Sequence, residues 1–265
     1  MTTAGKNLLL RVLVAAVFGP AVIFALYSGG VYLLIFQMAA VFGLSAEFTL
    51  LPSVRFRPLR SGFFIASCLA VPLLHWLEWQ SFVPAFVLLF SAAWFLLELA
   101  ERGVDRTIET SAYGVFGLVL FAWAPSLVWE LHAVDPLLAV LPMALVWTSD
   151  TTAYFAGSWI GGPKMSPTIS PNKTWAGFAG GMIGAFIAGL GFRLAWPSVF
   201  GLDILFFAPI AGLVAIGGDL FESKVKREMN IKDSSRAIPG HGGWWDRFDS
   251  WLFVQLASWV FYILL

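Results

Sequence analysis

The feature that most constrains this chain is a series of apolar runs separated only by short polar connections. A helix that crosses a bilayer needs about 20 predominantly apolar residues. Runs of this kind lie near residues 8–27, 31–51, 62–77, 82–100, 112–131, 136–155, 176–196, 204–221 and 249–265. We therefore predict an all-α fold, a polytopic integral membrane bundle of about nine transmembrane helices.

The composition excludes the main alternatives to a membrane protein. Apolar residues make up 59% of the chain and charged residues 12%, against roughly 45–50% and about 25% in soluble domains. The formal net charge is zero, so there is no basic excess to bind nucleic acid. The single cysteine, Cys68, excludes an intramolecular disulfide. Membrane lipids are therefore the expected surroundings, and no nucleic acid partner is expected.

The basic residues indicate how the bundle is oriented. When the loops are assigned alternately to the two sides, every lysine and arginine except Arg193 falls on the side of the N-terminus. Loops rich in Lys and Arg stay in the cytoplasm. We predict an N-in, C-out, multi-pass protein of the cell inner (plasma) membrane. Both long polar segments, about 156–175 and 222–248, then lie at the cytoplasmic face.

The segment 217–249 carries the most unusual polar residues. Asp219 lies at the cytoplasmic end of a strongly apolar helix, where an unpaired acid is costly. Ser223 and Lys226 follow four and seven residues later, which places them on the same helix face, and Glu222 borders that face.

A glycine-rich loop and two further acids follow in the same segment. Gly240, Gly242 and Gly243 surround His241, and their backbone N–H groups suit phosphate oxygens. Asp246 and Asp249 then lie three residues apart at a helix start. Carboxylates together with phosphates are what Mg²⁺ prefers, and basic residues offset charge on a transferred phosphoryl group. The pattern indicates phosphoryl or nucleotidyl transfer. The alternative is that topology alone requires the basic loop and that the acids pair with it.

A second polar segment, 147–181, offers a further anion site. Asp150 ends an apolar helix, and Ser170 or Asn172 is expected to cap the next helix, with Lys173 facing an anion. A plain helix cap is the alternative. The glycines of 180–184 predict close helix packing.

Two more acids lie near the cytoplasmic ends of apolar runs. Glu47 and Glu98 are expected to pair with Arg102 or Arg106, and the alternative is that they line a polar cavity.

The residues of 223–249 resemble the signature of bacterial phosphatidate cytidylyltransferases (CDP-diacylglycerol synthases). The matching positions are Ser223, Lys226, Arg227, Lys232, Asp233, Pro239, His241, Gly242, Gly243, Asp246, Arg247 and Asp249. The upstream residues Asp150 and Lys173-Thr174-Trp175 also resemble the family, whereas the first 140 residues match only in hydropathy. We accordingly divide the chain into N-terminal transmembrane helices (1–140) and a C-terminal catalytic transmembrane region (141–265). Ala176, Ser235 and Pro163 depart from the family's usual residues.

The resemblance implies that CTP and phosphatidic acid react to give CDP-diacylglycerol and pyrophosphate. It implies a Mg²⁺ cofactor held mainly by Asp219 and Asp246 with support from Asp249, and leaves open a second cation and a homodimer. The implied catalytic residues are Asp219, Ser223, Lys226, Arg227, Asp246 and Asp249. The implied substrate-binding residues are Asp150, Ser170, Asn172, Lys173, Thr174, Lys232, His241, Gly242, Gly243 and Arg247. A CTP-dependent lipid-alcohol kinase is one alternative, and a transporter or inactive scaffold is another.

Overall fold

The computed structural model describes residues 3–100, 106–238 and 242–265, with side chains from Ala16 onward. This part of the chain is largely helical. The helices are α1 Thr3–Ser28, α2 Gly30–Thr49, α3 Pro58–Trp76, α4 Val83–Ala100, α5 Thr107–Leu118, α6 Ala124–Ser126, α7 Val128–Val134, α8 Pro136–Trp159, α9 Trp175–Ala195, α10 Ile204–Glu228 and α11 Trp245–Trp259. A 3₁₀ turn, Gln80–Phe82, precedes α4, and π-helical turns lie at Val119–Trp123 and Val260–Leu264.

A small hairpin interrupts the helices. Strand β1, Lys164–Ser166, pairs antiparallel with strand β2, Ser170–Thr174. The all-α prediction is therefore correct for the bulk of the chain and wrong for this hairpin. Strands this short and polar lack the alternation of apolar and polar residues from which a strand is predicted.

Six helical segments of the described residues are long and apolar enough to cross a membrane. They are Gly30–Thr49, Pro58–Trp76, Gln80–Ala100, Thr107–Val134, Trp175–Ala195 and Ile204–Glu228. Each overlaps one of the predicted runs, and the other three runs coincide with α1, α8 and α11. The structure thus supports an integral membrane protein, while nine spans and an N-in, C-out orientation stay predictions.

Contacts divide the chain into two compact units. The first consists of Met1–Trp129 with Asp233–Trp245, and the second of Glu130–Lys232 with Asp246–Leu265. The predicted border between residues 140 and 141 stays a prediction.

Aromatic rings fill the core of the first unit. The Phe48 ring lies 4.9 Å from that of Phe121 and 6.3 Å from that of Trp245, centroid to centroid. Trp94 is fully buried, and the guanidinium of Arg60 lies 5.2 Å from its ring. Such edge-on and cation–π contacts add to the stabilisation that burial of the rings provides.

Two acids of the first unit have partners that differ from the prediction. Glu98 pairs with the buried Arg60, so the expected pairing with Arg106 is wrong, and Arg102 lies outside the described residues. Glu47 accepts hydrogen bonds from Ser235, Trp244 and Trp245 instead of pairing with Arg106. The residues that donate to Glu47 are separated from it by 188 to 198 positions in the sequence. A local charge pattern cannot predict such distant partners.

Glycines let α8 and α9 approach closely in the second unit. A Cβ at Gly180 would lie 2.4 Å from the Cβ of Ala156, and one at Gly184 would lie 2.0 Å from Oγ1 of Thr152. The predicted close packing of residues 180–184 is therefore confirmed.

Candidate active site

Helix α10 presents polar residues on one face at its last turns. Glu222 and Ser223 lie three and four residues after Asp219, and Lys226 lies four and three residues after them. Residues at these spacings are neighbours on one face of a helix. The Ser223 hydroxyl donates to Oδ1 of Asp219 over 3.2 Å. The shared face predicted from the spacing is therefore confirmed for these residues.

Three carboxylates of the second unit converge. Asp219 and Glu222 come from α10 and Asp249 from the first turns of α11, and their ligand oxygens all lie within 4.8 Å of one another. Glu222 is only 1% exposed, and its Oε1 accepts no hydrogen bond within the described residues. The backbone N–H of Ser250 donates to Oδ1 of Asp249 over 2.6 Å. We call Asp219, Glu222 and Asp249 the carboxylate group.

Two lysines lie against the acids of this unit. Lys226 Nζ lies 2.6 Å from Oε2 of Glu222 and 2.5 Å from Oδ1 of Asp246. Lys173 Nζ lies 2.7 Å from Oδ2 of Asp219. These cations offset the repulsion between neighbouring acids, of which Glu222 and Asp246 are buried and Asp219 is partly exposed.

The hairpin places Lys173 at the start of α9. Thr174 is the N-cap of that helix, and its side-chain oxygen accepts from the N–H of Gly177 over 3.1 Å. The expected cap by Ser170 or Asn172 is therefore wrong, because α9 begins only at Trp175 and Thr174 is the residue directly before it. Arg227 donates from Nε to the carbonyl of Ile169 over 3.3 Å, which ties the hairpin turn to the end of α10.

A cavity of ≈ 470 Å³ opens beside these residues within the second unit. Its size falls in the range typical of small-molecule sites. Its lining residues are Asp150, Ala153, Tyr154, Gly157, Ser158, Met165, Asn172, Lys173, Thr174, Gly177, Phe178, Ile216 and Asp219. The wall combines the charged side chains of Asp150, Lys173 and Asp219 with polar and apolar residues, which suits a ligand that has both charged and apolar parts.

Comparison with known proteins identifies the family. A family model described as Cytidylyltransferase family matches residues 9–265. The chain belongs to the cytidylyltransferase family. The match includes the N-terminal half, for which the sequence offered only a likeness in hydropathy.

Individual relatives of this cytidylyltransferase carry a more specific name. The phosphatidate cytidylyltransferase of Brucella abortus biovar 1 (strain 9-941) is 32% identical over 269 residues, covering 92% of this chain and 89% of that protein. The phosphatidate cytidylyltransferase of Bacillus subtilis (strain 168) is 45% identical over 115 residues, 42% of each chain. That of Thermotoga maritima is 38% identical over 133 residues, 48% of this chain and 49% of that protein.

Most of the predicted site residues of this cytidylyltransferase lie in the second unit. The structure brings Asp219, Ser223 and Asp249 together as the sequence predicted, and Asp150 interacts electrostatically with Lys173 and Arg247. Asp246 lies against Lys226 rather than in the carboxylate group. Its predicted role as a metal ligand stays a prediction.

Other predicted residues are not members of the carboxylate group or fall outside the described residues. Lys232 is exposed just beyond the end of α10. Gly242 and Gly243 belong to the first unit, where Gly242 has a φ of +82° and accepts from the N–H of Ile238 over 2.9 Å. His241 lies outside the described residues.

One member of the carboxylate group was not predicted as a site residue. Glu222 stands three residues after Asp219, and the helix spacing places it only at the border of the polar face. Its near-complete burial is the observation that distinguishes it. An acid placed one helical turn from another acid, in an otherwise apolar helix, was the available signal.

Proposed function

We propose that this protein is a phosphatidate cytidylyltransferase of the cell inner (plasma) membrane that acts in phospholipid biosynthesis. It would convert CTP and phosphatidic acid into CDP-diacylglycerol and pyrophosphate. The observation that carries the proposal is the carboxylate group of Asp219, Glu222 and Asp249. It lies beside a lysine-lined cavity, in a chain whose relatives carry that name.

The carboxylate group fits a divalent cation. The ligand oxygens of Asp219, Glu222 and Asp249 lie within 4.8 Å of one another. These three carboxylates would hold Mg²⁺, which prefers oxygen ligands. Oε1 of Glu222 is buried with no hydrogen-bond donor among the described residues, which leaves it available to an ion. We propose Mg²⁺ here, with Asp246 as a further candidate ligand. Bound Mg²⁺ would offset the negative charge of the triphosphate.

The basic residues would bind the phosphates of CTP. Lys173 lies in the cavity wall, with Nζ 2.7 Å from Asp219, so one lysine contacts both the acids and the cavity. A lysine ammonium attracts phosphate oxygens as a point charge. Lys226 joins α10 to α11, because its Nζ contacts both Glu222 and Asp246. Arg227 joins the end of α10 to the hairpin turn, because it donates to the carbonyls of Ile169 and Ile231.

The reaction itself needs positioning more than proton transfer. A phosphate oxygen of phosphatidic acid would attack the α-phosphorus of CTP, and the bond from that phosphorus to the bridging oxygen of the β-phosphate would break. The electron pair leaves with pyrophosphate. The attacking oxygen is ionised at neutral pH, so no general base is required. Positive charge near the developing pyrophosphate lowers the barrier.

The proposed location explains why a membrane protein would carry this site. Phosphatidic acid is held in the bilayer, whereas CTP is soluble in the cytoplasm. All lysines and arginines except Arg193 fall on one side when the predicted loops alternate. The same assignment would put the carboxylate group at the cytoplasmic face, where the two substrates meet.

A direct assay tests the proposal. Purified protein in detergent micelles would receive phosphatidic acid, Mg²⁺ and CTP labelled with ³²P at the α-phosphate. We expect label in the lipid phase together with released pyrophosphate. The Asp246→Asn variant should lose this activity while keeping its fold, which circular dichroism would check.

Other outcomes point to other functions. No label in lipid from folded wild-type protein would reject the proposal. Label transferred from γ-labelled CTP to a lipid alcohol, with CDP released, would indicate a lipid-alcohol kinase. An Asp246→Asn variant with the full cellular effect of the wild type would indicate a scaffold.

A further inference from the structure

A buried acid of the first unit, Glu47, accepts hydrogen bonds from the residues that precede and begin α11. The proposed reaction gives this acid no role. Glu47 lies near the end of α2 and is 5% exposed. Its Oε2 accepts from the Ser235 hydroxyl over 2.5 Å and from the N–H of Trp244 over 2.8 Å, and its Oε1 accepts from the N–H of Trp245 over 3.0 Å. Both oxygens of one carboxylate are therefore satisfied by a single loop.

These contacts make Glu47 the cap of a helix to which it does not belong. Helix α11 begins at Trp245, and the first N–H groups of a helix have no partner inside the helix. Caps are usually supplied by a side chain just before the helix. Here the Glu47 carboxylate from α2 accepts from the N–H of Trp245, the first residue of the helix, and from the N–H of Trp244 just before it. Its charge is favourable at the positive end of the helix dipole. Hydrogen bonds to an ionised acceptor are about twice as strong as neutral ones.

Two glycines allow the loop to approach α2 this closely. A Cβ at Gly243 would lie 2.3 and 2.5 Å from the two carboxylate oxygens of Glu47. A Cβ at Gly43, one turn before Glu47 on α2, would lie 2.2 Å from the Trp244 ring. The backbone contact at Gly243 and the ring contact at Gly43 both depend on the absence of a side chain.

We propose that Glu47 is a positioning residue for the transfer reaction. Trp245 is bonded directly to Asp246, and Asp249 follows one turn later on the same helix. By capping α11, Glu47 would fix the backbone from which these two acids extend. We assign Glu47 no contact with either substrate or with the cation. The inference rests on the proposed function, because it assigns Glu47 a part in that reaction.

The proposal can be tested with a substitution that keeps the size of the side chain. Glu47→Gln keeps the shape and one acceptor oxygen but loses the charge and presents N–H groups to the loop. We expect kcat, per folded molecule, to fall at least tenfold and the half-saturating Mg²⁺ concentration to rise severalfold. The KM for phosphatidic acid should change little. Hydrogen exchange measured by mass spectrometry should show faster exchange at the amides of Trp244 and Trp245.

Two more variants keep the test independent of misfolding. Ser235→Ala removes only one of the three donors, so it should fold and show the same changes at a smaller size. Glu98→Gln is the matched control, because it removes another buried carboxylate of the first unit, the partner of Arg60. It should lower the melting temperature while leaving kcat, the Mg²⁺ requirement and the exchange of Trp244 and Trp245 at wild-type values.

The outcomes separate the two proposals. Wild-type protein that transfers no label to phosphatidic acid would reject the proposed function. Active wild type combined with wild-type kcat, Mg²⁺ requirement and amide exchange in Glu47→Gln would reject only the inference about Glu47. A lower melting temperature in Glu47→Gln, with unchanged kcat and Mg²⁺ requirement per folded molecule, would also reject it, since that is a purely structural role.

Discussion

Lys173 Nζ lies 2.7 Å from Oδ2 of Asp219, and this ion pair joins strand β2 to helix α10. The pair stands at the wall of the cavity, and both side chains are partly exposed there. A lysine in this position balances the acids before a substrate arrives and can attract its phosphates afterwards. The contact therefore gives one residue two separable duties.

Replacing Lys173 should weaken the use of CTP. In Lys173→Gln we expect kcat/KM for CTP to fall about 10- to 100-fold, because a hydrogen bond to a charged group contributes about 1.5–3 kcal/mol. Steady-state kinetics at saturating phosphatidic acid would measure this. Lys164→Gln is the control, since Lys164 is an exposed lysine of the same hairpin. Equal effects of the two substitutions would contradict a specific role for Lys173.

Lys226 should matter for stability as well as activity. Its Nζ lies between the largely buried carboxylates of Glu222 and Asp246. Lys226→Met would remove the ammonium that lies between these two carboxylates, and removal of one partner from a buried ion pair costs about 3–5 kcal/mol. We expect a clear fall in melting temperature in detergent and loss of transfer. Lys224→Met, at an exposed position two residues earlier, should change neither. A stable Lys226→Met protein would show that the pair carries little net stabilisation.

The acid that the sequence analysis missed offers a test of the cation site. Glu222→Gln keeps the size of the side chain but removes a negative ligand that suits Mg²⁺. We expect the half-saturating Mg²⁺ concentration to rise by about tenfold or more, in line with the loss of one charged contact. Glu228→Gln, at an exposed position on the same helix, should leave the Mg²⁺ requirement unchanged. An unchanged requirement in Glu222→Gln would place the cation elsewhere.

The comparison of sequence and structure shows which features a local pattern can predict. The face shared by Asp219, Ser223 and Lys226 followed from helix spacing, and the structure places them so. The apolar runs located the helices for the same reason, because length and hydropathy are local properties. Both of these predictions needed only the residue pattern within one helix.

Features that depend on contacts between distant elements were harder to predict. The sequence did not indicate that Glu222, and not Asp246, lies beside Asp219 and Asp249, and Lys226 contacts both of these acids. The partners of Glu47 lie 188 to 198 residues away. Thr174 caps α9 because it is the last residue of the short hairpin and directly precedes the helix. This hairpin is too polar to be recognised from the sequence. In each case the local sequence allowed more than one partner or cap, and contacts with distant parts of the chain determined which one formed.

The packing of α8 on α9 should be sensitive to a single methyl group. A Cβ at Gly184 would lie 2.0 Å from Oγ1 of Thr152, a hydroxyl that already donates to the carbonyl of Thr148 over 2.8 Å. Gly184→Ala would therefore force the helices apart or displace the threonine, and overpacking of this kind costs about 1–3 kcal/mol. We expect a lower melting temperature in detergent. Gly191→Ala on the same helix meets no atom within 4 Å, so it should be neutral or slightly stabilising. A Gly184→Ala protein as stable as Gly191→Ala would mean that α8 and α9 can separate at no cost, contrary to the close contact seen here.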